Sequence, residues 1–507
     1  MTYTIKKVTT LIGARRYGDR DGNVGFILTD SRSLCFPEET LFFALKSERN
    51  DGHNYIPELY RRGVRNFVVS QVPKGYASDY PEANFLKVVN TLEALQRLAE
   101  RHRDEFNIPI VGITGSNGKT MVKEWLHQLL SPSMFVTRSP RSYNSQIGVP
   151  LSVWLLNEQT QVGVFEAGIS QPGEMLALRD IIQPTIAVLT YLGAAHQENF
   201  ESLEAKCREK IILFHDADTI VYNGDDKTVS GVVNEYKDYK GEKLFWSFRD
   251  TKAPFFVKNV EKKGNLSIIT YIYKGEEDSY SLPFIDEASV TNSIIAAVVS
   301  RRLGLSAEEL DKRMALLEPV AMRLEVKEGQ HGCTLINDSY NSDINSLDIA
   351  LDFMSRRPDH KGRRHTLILS DIFQSGESAK DLYHEVSDLC RKRGVVKFIG
   401  IGPQLCSQSD EIQISEKFFF SNVEEFIDSE VFKSLRDEVI LLKGARQFGF
   451  DQLTELLVRK VHETTLEVNL NAVVANLNYY RSFMKPETKL EIGRASCRER
   501  VSFLVVW

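Results

Sequence analysis

The chain reads as an α/β protein in which three successive blocks each lay helices over a mostly parallel sheet. Three observations carry that reading. Short apolar runs of strand length alternate with segments of helical period through most of the 507 residues. The alternation restarts twice, near "FNIPIVGITG" and near Pro319. A glycine-rich loop, "GSNGKT" at residues 115–120, comes directly after one apolar run and opens a helical segment.

Residues 1–105 mix the runs "LFFAL", "NFVVS" and "NFLKVV" with turn-rich text such as "KSERNDGHNY", which fits a small α/β domain. Residues 106–318 form the central block. Its strands include "IPIVGIT", "VGVFEAGI", "TIAVLTYLG" and "DTIVYNGDD", an order that predicts a largely parallel sheet. A polar, Lys/Glu-rich stretch over 226–280 is expected to form an antiparallel excursion. "EASVTNSIIAAVVSRRLGL" then has helical period and stops at Gly304. Residues 319–461 repeat the pattern with "CTLIND", "HTLILSD", "VKFIGIG" and "EVILLKGA", as in a doubly wound α/β domain. Residues 462–490 hold one strand and one amphipathic helix, too little to close a core. The last segment, 491–507, turns abruptly to "EIGRASCRERVSFLVVW" and reads as an artefactual tail.

Composition excludes several classes. Hydrophobic residues make up 42% and charged residues 26%, and the net charge is −6, so neither nucleic acid nor an anionic membrane is the expected partner. No uncharged apolar run approaches the ~18 residues a membrane span needs. Six scattered cysteines without a C-x-x-C pair fit reduced thiols in the cytoplasm.

The loop nearly matches the phosphate-binding pattern G-x-x-x-x-G-K-[ST], but Ile113 stands where that pattern has its first glycine. The chemistry survives the misfit. Gly115 and Gly118 let the backbone N–H groups of Ser116, Asn117 and their neighbours approach phosphate oxygens, and the helix after them adds favourable partial charge. Lys119 reaches terminal phosphates and Thr120 holds Mg²⁺. Parallel sheets bind ligands at the carboxyl ends of their strands, where Glu166, His196 and Asn223 fall. A lone Glu there is usually solvated and a lone His usually packed. Beside a phosphate loop, a carboxylate and an imidazole are the ligands a Mg²⁺-nucleotide needs. "EAKCREKIILF" adds Lys206 and Lys210.

These motifs resemble the Mur ligases, ATP-dependent amide-forming enzymes of three domains, over about residues 25–460. "TDSRSLCF" is similar to the uridine-nucleotide-binding first domain, with Ser31 and Arg32 in its "DSR" motif. "SYNSQIGVPLSV" resembles the segment whose Asn144 faces substrate, and "EAG" and "GAAH" put Glu166 and His196 at the family's Mg²⁺ positions. The resemblance also implies a carbamylated lysine bridging metal. Lys206 and Lys210 compete, and "KIILF" fits the family form, which selects Lys210. Asn292 matches the nucleotide-contacting helix, although Ala288 and Ser289 replace the usual His-Asn pair before it. Arg323 resembles the arginine reaching the nucleotide phosphates. In "INDSYNSDINSL", Asp338, Tyr340 and Asn341 align with the third domain's nucleotide- and substrate-facing motif, and Lys443 in "LLKGARQ" falls near the acceptor.

Within the family, "SYN" and "LKGAR" resemble the member that joins D-alanyl-D-alanine to UDP-N-acetylmuramoyl-tripeptide with ATP and Mg²⁺, and the implied protein is a cytoplasmic monomer. The alternatives are a ligase adding one amino acid, or a catalytically silent scaffold with this fold. Separately, "TTLEVNLNAVVANLNYYRSFMKPETKL", within 462–490, resembles the start of alanine racemase. It stops before that family's Schiff-base lysine, so the expectation is a truncated ligase–racemase fusion that binds no pyridoxal phosphate.

Overall fold

The computed structural model describes residues 2–47, 50–193, 197–237, 239–320, 324–339, 342–356, 362–372, 378–445 and 448–459. The chain divides into two compact units, one holding the described residues up to Thr91 and the other Leu92–Val461.

The first unit is built on a five-stranded sheet of β1 (Arg15–Tyr17), β2 (Phe26–Leu28), β3 (Thr40–Phe43), β4 (Asn66–Val69) and β5 (Asn84–Lys87). Its order is β1-β5-β4-β3-β2, parallel except for the edge strand β1. The three apolar runs of the sequence are β3, β4 and β5. Phe42, Phe67 and Phe85 are buried, and the last two stack at 5.4 Å. Against an expected boundary at residue 105, this unit ends at Thr91. Helix α1 (Thr91–Arg103) belongs, after its first residue, to the second unit. Its last residue, Arg103, donates to the carbonyls of Ile182 and Gln183 there, both at 3.0 Å.

The described residues of the second unit form three sheets. The first has the order β11-β10-β9-β6-β8-β7, all parallel. Its strands are β6 (Ile110–Thr114), β7 (Val136–Arg138), β8 (Val162–Glu166), β9 (Ile186–Leu189), β10 (Thr219–Val221) and β11 (Glu242–Lys243). Every residue of β6, β8 and β9 is buried. That is why these strands are continuous apolar runs: helices cover both faces. The crossovers include α2 (Lys119–Leu130), α3 (Glu174–Ile182), α4 (Leu203–Ile211) and α5 (Lys227–Glu235).

The expected antiparallel excursion begins later than residue 226. Residues 227–235 are helix α5, with Asp226 accepting from the Val229 amide and Val229, Val232 and Val233 buried. Valines at i, i+3 and i+4 bury one helical face, and that outweighed the polar text around them. The excursion itself is a second sheet of four strands, β12 (Trp246–Ser247), β13 (Phe255–Lys263), β14 (Leu266–Tyr273) and β15 (Glu276–Leu282). It is antiparallel apart from the β12–β13 pair. Helix α6 (Glu287–Arg302) comes next, capped by Asp286 accepting from the Ser289 amide, and the chain leaves it through Gly304 at φ 96°.

The third sheet has the order β16-β17-β21-β18-β19-β20. Its strands are β16 (Glu325–Glu328), β17 (Thr334–Asp338), β18 (Arg364–Ser370), β19 (Lys397–Ile401), β20 (Glu416–Phe420) and β21 (Glu438–Lys443), and only β16 is antiparallel. Helix α7 (Ile344–Arg356) leaves β17. Residues 462–490 and 491–507 lie outside the described residues.

Candidate active site

The misfit at Ile113 has a structural reason. Ile113 is a fully buried residue of β6, in register with Glu166 of β8, so the loop begins only after the strand, at Gly115. Gly115 has φ 139° and a Cβ there would lie 2.1 Å from Thr190 Oγ1. Gly118 has φ 88° and a Cβ would lie 2.5 Å from Asn292 Oδ1. Both positions therefore require glycine. The loop is braced from the segment after β9: the Ser116 amide donates to the Tyr191 carbonyl at 2.6 Å, and Thr190 Oγ1 donates to the Asn117 carbonyl at 2.5 Å. Gly118 caps α2 with no side-chain acceptor on the first turn, which leaves N–H groups of a helix N-terminus for an anion.

Five predicted residues, Lys119, Thr120, Asn144, Glu166 and Lys210, gather around the loop. Lys119 Nζ folds back to the carbonyls of Gly115 and Ser116, at 2.6 and 3.1 Å. Thr120 Oγ1 donates to Glu166 Oε2 at 3.2 Å, and Asn144 Nδ2 donates to the same oxygen at 3.3 Å. Glu166 is fully buried, and its Oε1 receives no directed hydrogen bond. Lys210, on α4 and 2% exposed, lies 3.4 Å from the Gly115 carbonyl. Burial, and then the charges of Lys119 and Lys206, hold its ammonium well below the usual lysine range. Lys206, one turn earlier, is 1% exposed and donates to the Gly193 carbonyl at 2.6 Å. Burial pulls it down to about 8.

A cavity of about 600 Å³ opens over the loop, lined by residues 115–121 with Asn144, Lys210, Asn292 and Asp338. Lys206 is not among its lining residues, which separates the two competing lysines. β17 of the third sheet contributes Asp338, and helix α7 after it contributes Ser346, Asp348 and Ile349. Asp338 and Lys443 are register neighbours on β17 and β21, and Lys443 Nζ donates to Asp338 Oδ2 at 2.7 Å. Lys443 is thus a fully buried partner of Asp338 and is not in the cavity wall. In the first unit, Asp30 clamps the exposed Arg32 through Oδ1 and Oδ2 at 2.6–3.1 Å, while the Ser31 carbonyl accepts from Arg62 at 2.8 Å. His196, Arg323, Tyr340 and Asn341 lie outside the described residues.

Among the described residues no group of three or more His, Cys, Asp and Glu stands ready for a metal. Glu166 is the buried carboxylate at the loop, with an oxygen still able to accept, beside the Thr120 hydroxyl, and Lys210, whose ammonium burial disfavours, lies against the Gly115 carbonyl of the same loop. That donor set fits a hard divalent cation completed by further oxygen ligands.

Residues 113–300 match the model of the Mur ligase middle domain. The UDP-N-acetylmuramoyl-tripeptide–D-alanyl-D-alanine ligase of Bacillus subtilis is 28% identical over 71% of this chain and 76% of its own length. That of Buchnera aphidicola is 26% identical over 91% and 99%. A crystal structure of MurF from Acinetobacter baumannii superposes with TM-score 0.77 at 22% identity, covering 90% of this chain and 99% of that one. MurF ligase from Thermotoga maritima, solved in complex with ADP, gives 0.71 at 22% identity over 88% and 97%. The chain has the Mur ligase fold.

In this Mur ligase fold, residues that sequence reading did not single out complete the site. Ser142 Oγ lies 3.0 Å from Thr120 Oγ1, Thr190 braces the loop, and Tyr191 lines the cavity. Lys123, fully buried, lies 3.1 Å from Glu166 Oε1. Its spacing was a usable signal: four residues after Lys119, it shares that lysine's helical face. No helix among the described residues is long and apolar enough to cross a membrane.

Proposed function

We propose that the chain is an ATP-dependent ligase joining D-alanyl-D-alanine to UDP-N-acetylmuramoyl-tripeptide in peptidoglycan-precursor synthesis. The observation that carries this is that Lys119, Thr120 and Lys210 line one cavity over a glycine-only phosphate loop, with the buried Glu166 accepting from Thr120 behind its wall. Relatives bearing that activity in their names align over nine-tenths of the chain, which supports the substrate assignment.

The tripeptide carboxylate attacks the γ-phosphorus of ATP, forming a carboxyl–phosphate bond as the bond to ADP breaks. Lys119 leaves the loop carbonyls to offset charge on the transferring phosphoryl group, and the α2 N-terminus holds the phosphates. The dipeptide amine then attacks the acyl carbon, and the tetrahedral intermediate expels phosphate. Asn292 and Asp338 sit in the cavity wall as nucleotide contacts, with Arg323 assigned the same role. Asn144, Tyr340 and Asn341 are assigned to substrate, and Ser31 and Arg32 to the uridine nucleotide, while Lys443 acts only through Asp338 as its buried partner.

Thr120, Glu166, His196 and carbamylated Lys210 would hold Mg²⁺, which when bound neutralises phosphate charge. Lys210 suits carbamylation because its neutral amine can attack CO₂, giving the N-carboxylate and releasing one proton. Five free cysteines among the described residues support a cytoplasmic location, and a monomer is the proposed state.

Phosphate release from ATP tests this reading. It should require UDP-N-acetylmuramoyl-tripeptide and rise several-fold with D-alanyl-D-alanine; release indifferent to both would reject it. Residues 462–490 are proposed as a segment similar to the start of alanine racemase that takes no part in ligation. Trimming after Val461 should then leave ligase activity within about a factor of three.

A further inference from the structure

Lys123 is unused by the reaction as described, yet it is the most completely enclosed cation at the site. It is fully buried on α2, facing β8 and the loop after β7. An ammonium in that position is tolerable only with acceptors around it. It has four: the carbonyls of Ser139, at 2.9 Å, and Arg141, with Glu124 Oε1 at 3.0 Å and Glu166 Oε1 at 3.1 Å. Glu124 is separately matched by Arg138 Nε at 2.9 Å. The four charges, Lys123 and Arg138 against Glu124 and Glu166, therefore balance with no metal present.

The ammonium spends hydrogen bonds on the two backbone carbonyls, while Glu166 Oε1 has its charge nearby but no directed donor. Oε2 is meanwhile fixed by Thr120 and Asn144. The carboxylate is thus held in one orientation with accepting capacity left over. The same lysine pins the loop that supplies Ser142 and Asn144. Arg141 in that loop has φ 49°, a left-handed conformation that a non-glycine residue holds only when neighbours enforce it.

We infer that Lys123 is a positioning residue, the resident counter-cation of Glu166, which balances the carboxylate while the nucleotide site is empty and keeps a divalent ion from being retained there without nucleotide. The inference rests on Glu166 being a metal ligand. A cation approaching Glu166 also meets the ammonium, so net attraction comes only with the negative charge of nucleotide phosphates or of a carbamate on Lys210. Without Lys123, Glu166 becomes a buried, uncompensated carboxylate, a strongly unfavourable state that cation uptake relieves.

The test compares wild type, Lys123→Met, Glu166→Gln and the double variant, all without nucleotide and in buffer stripped of CO₂ and bicarbonate, so that no carbamate forms on Lys210. Thermal melting is monitored with EDTA or with Mg²⁺, and Mn²⁺ binding is monitored by electron paramagnetic resonance. Wild-type melting should be nearly indifferent to Mg²⁺. Lys123→Met should melt lower in EDTA, recover with Mg²⁺, and bind Mn²⁺ about tenfold more tightly than wild type. Adding Glu166→Gln should erase both effects. If Lys123→Met does not fold in either buffer, Lys123→Gln, which keeps a donor and loses the charge, is held to the same comparison. Unchanged or weaker Mn²⁺ binding, or a gain that persists in the Glu166→Gln background, overturns the inference. The underlying reading fails separately: Glu166→Gln alone would then leave the Mg²⁺ dependence of ATP turnover unchanged.

Discussion

Removing either partner of the Asp338–Lys443 pair should be among the costliest single changes in the third sheet. The two residues face each other across adjacent parallel strands at 2.7 Å, with side-chain exposures of 9% and 0%. Breaking a buried pair leaves an uncompensated charge, at a cost of roughly 3–5 kcal/mol. The exposures predict an asymmetry. Asp338 reaches the cavity and can recruit water, so Lys443→Met should fall near the lower end, about 3 kcal/mol. Lys443 has no such outlet, so Asp338→Asn should approach about 5 kcal/mol. The double variant should cost at least about 2 kcal/mol less than the sum, because neither charge is then stranded. Urea unfolding of the four proteins reads all three values. Single losses below about 1 kcal/mol that simply add would refute the buried-pair reasoning. A Lys443→Met protein of normal stability with a raised KM for the acceptor would instead place Lys443 on substrate.

Lys119→Ala should abolish ATP turnover with melting unchanged, since glycine geometry and the 190–193 segment hold the loop; near-normal phosphate release would remove Lys119 from the chemistry. Lys210→Ala should be almost inactive and partly rescued by short carboxylates, with Lys206→Ala mild, and the opposite ranking would reassign the carbamate. Lys206 also predicts a pH effect. Its ammonium is lowered to about 8 in the fold, against about 10.4 in the unfolded chain. Between those values the unfolded state holds a proton the folded state lacks, so stability rises with pH through that window, and the full penalty is present below about 8. Lys206→Met should flatten that rise in urea midpoints measured at pH 7.5 and 9.5, and an unchanged slope would contradict it.

How much of each element the sequence revealed depends on how fully that element is buried. Strands β6, β8, β9, β18 and β21 are covered on both faces and stand out as apolar runs. Edge strands do not. β16, "EVKE", has no buried residue, and β7 is half-buried throughout, so neither left a pattern to find. Helix α5 was hidden because only three valines of its nine residues are buried. At the site, residues whose chemistry is local were legible: a glycine loop with Lys-Thr, and a Glu ending an apolar strand. Residues whose role depends on folding were not. Lys123 reads as an ordinary helical lysine until β8 places Glu166 against it, and Lys443 reads as a strand exit until β17 brings Asp338 alongside.

The most direct test of the central claim is oxygen transfer. The carboxyl group of the tripeptide is labelled with ¹⁸O, and the phosphate released during ligation is measured by mass spectrometry. An acyl-phosphate route moves one carboxyl oxygen into each phosphate, because the bond broken in the second step is the acyl carbon–oxygen bond. Singly labelled phosphate, formed one for one with the D-alanyl-D-alanine adduct, is the expected result. Unlabelled phosphate accompanying amide formation, or AMP and pyrophosphate in place of ADP and phosphate, would contradict it.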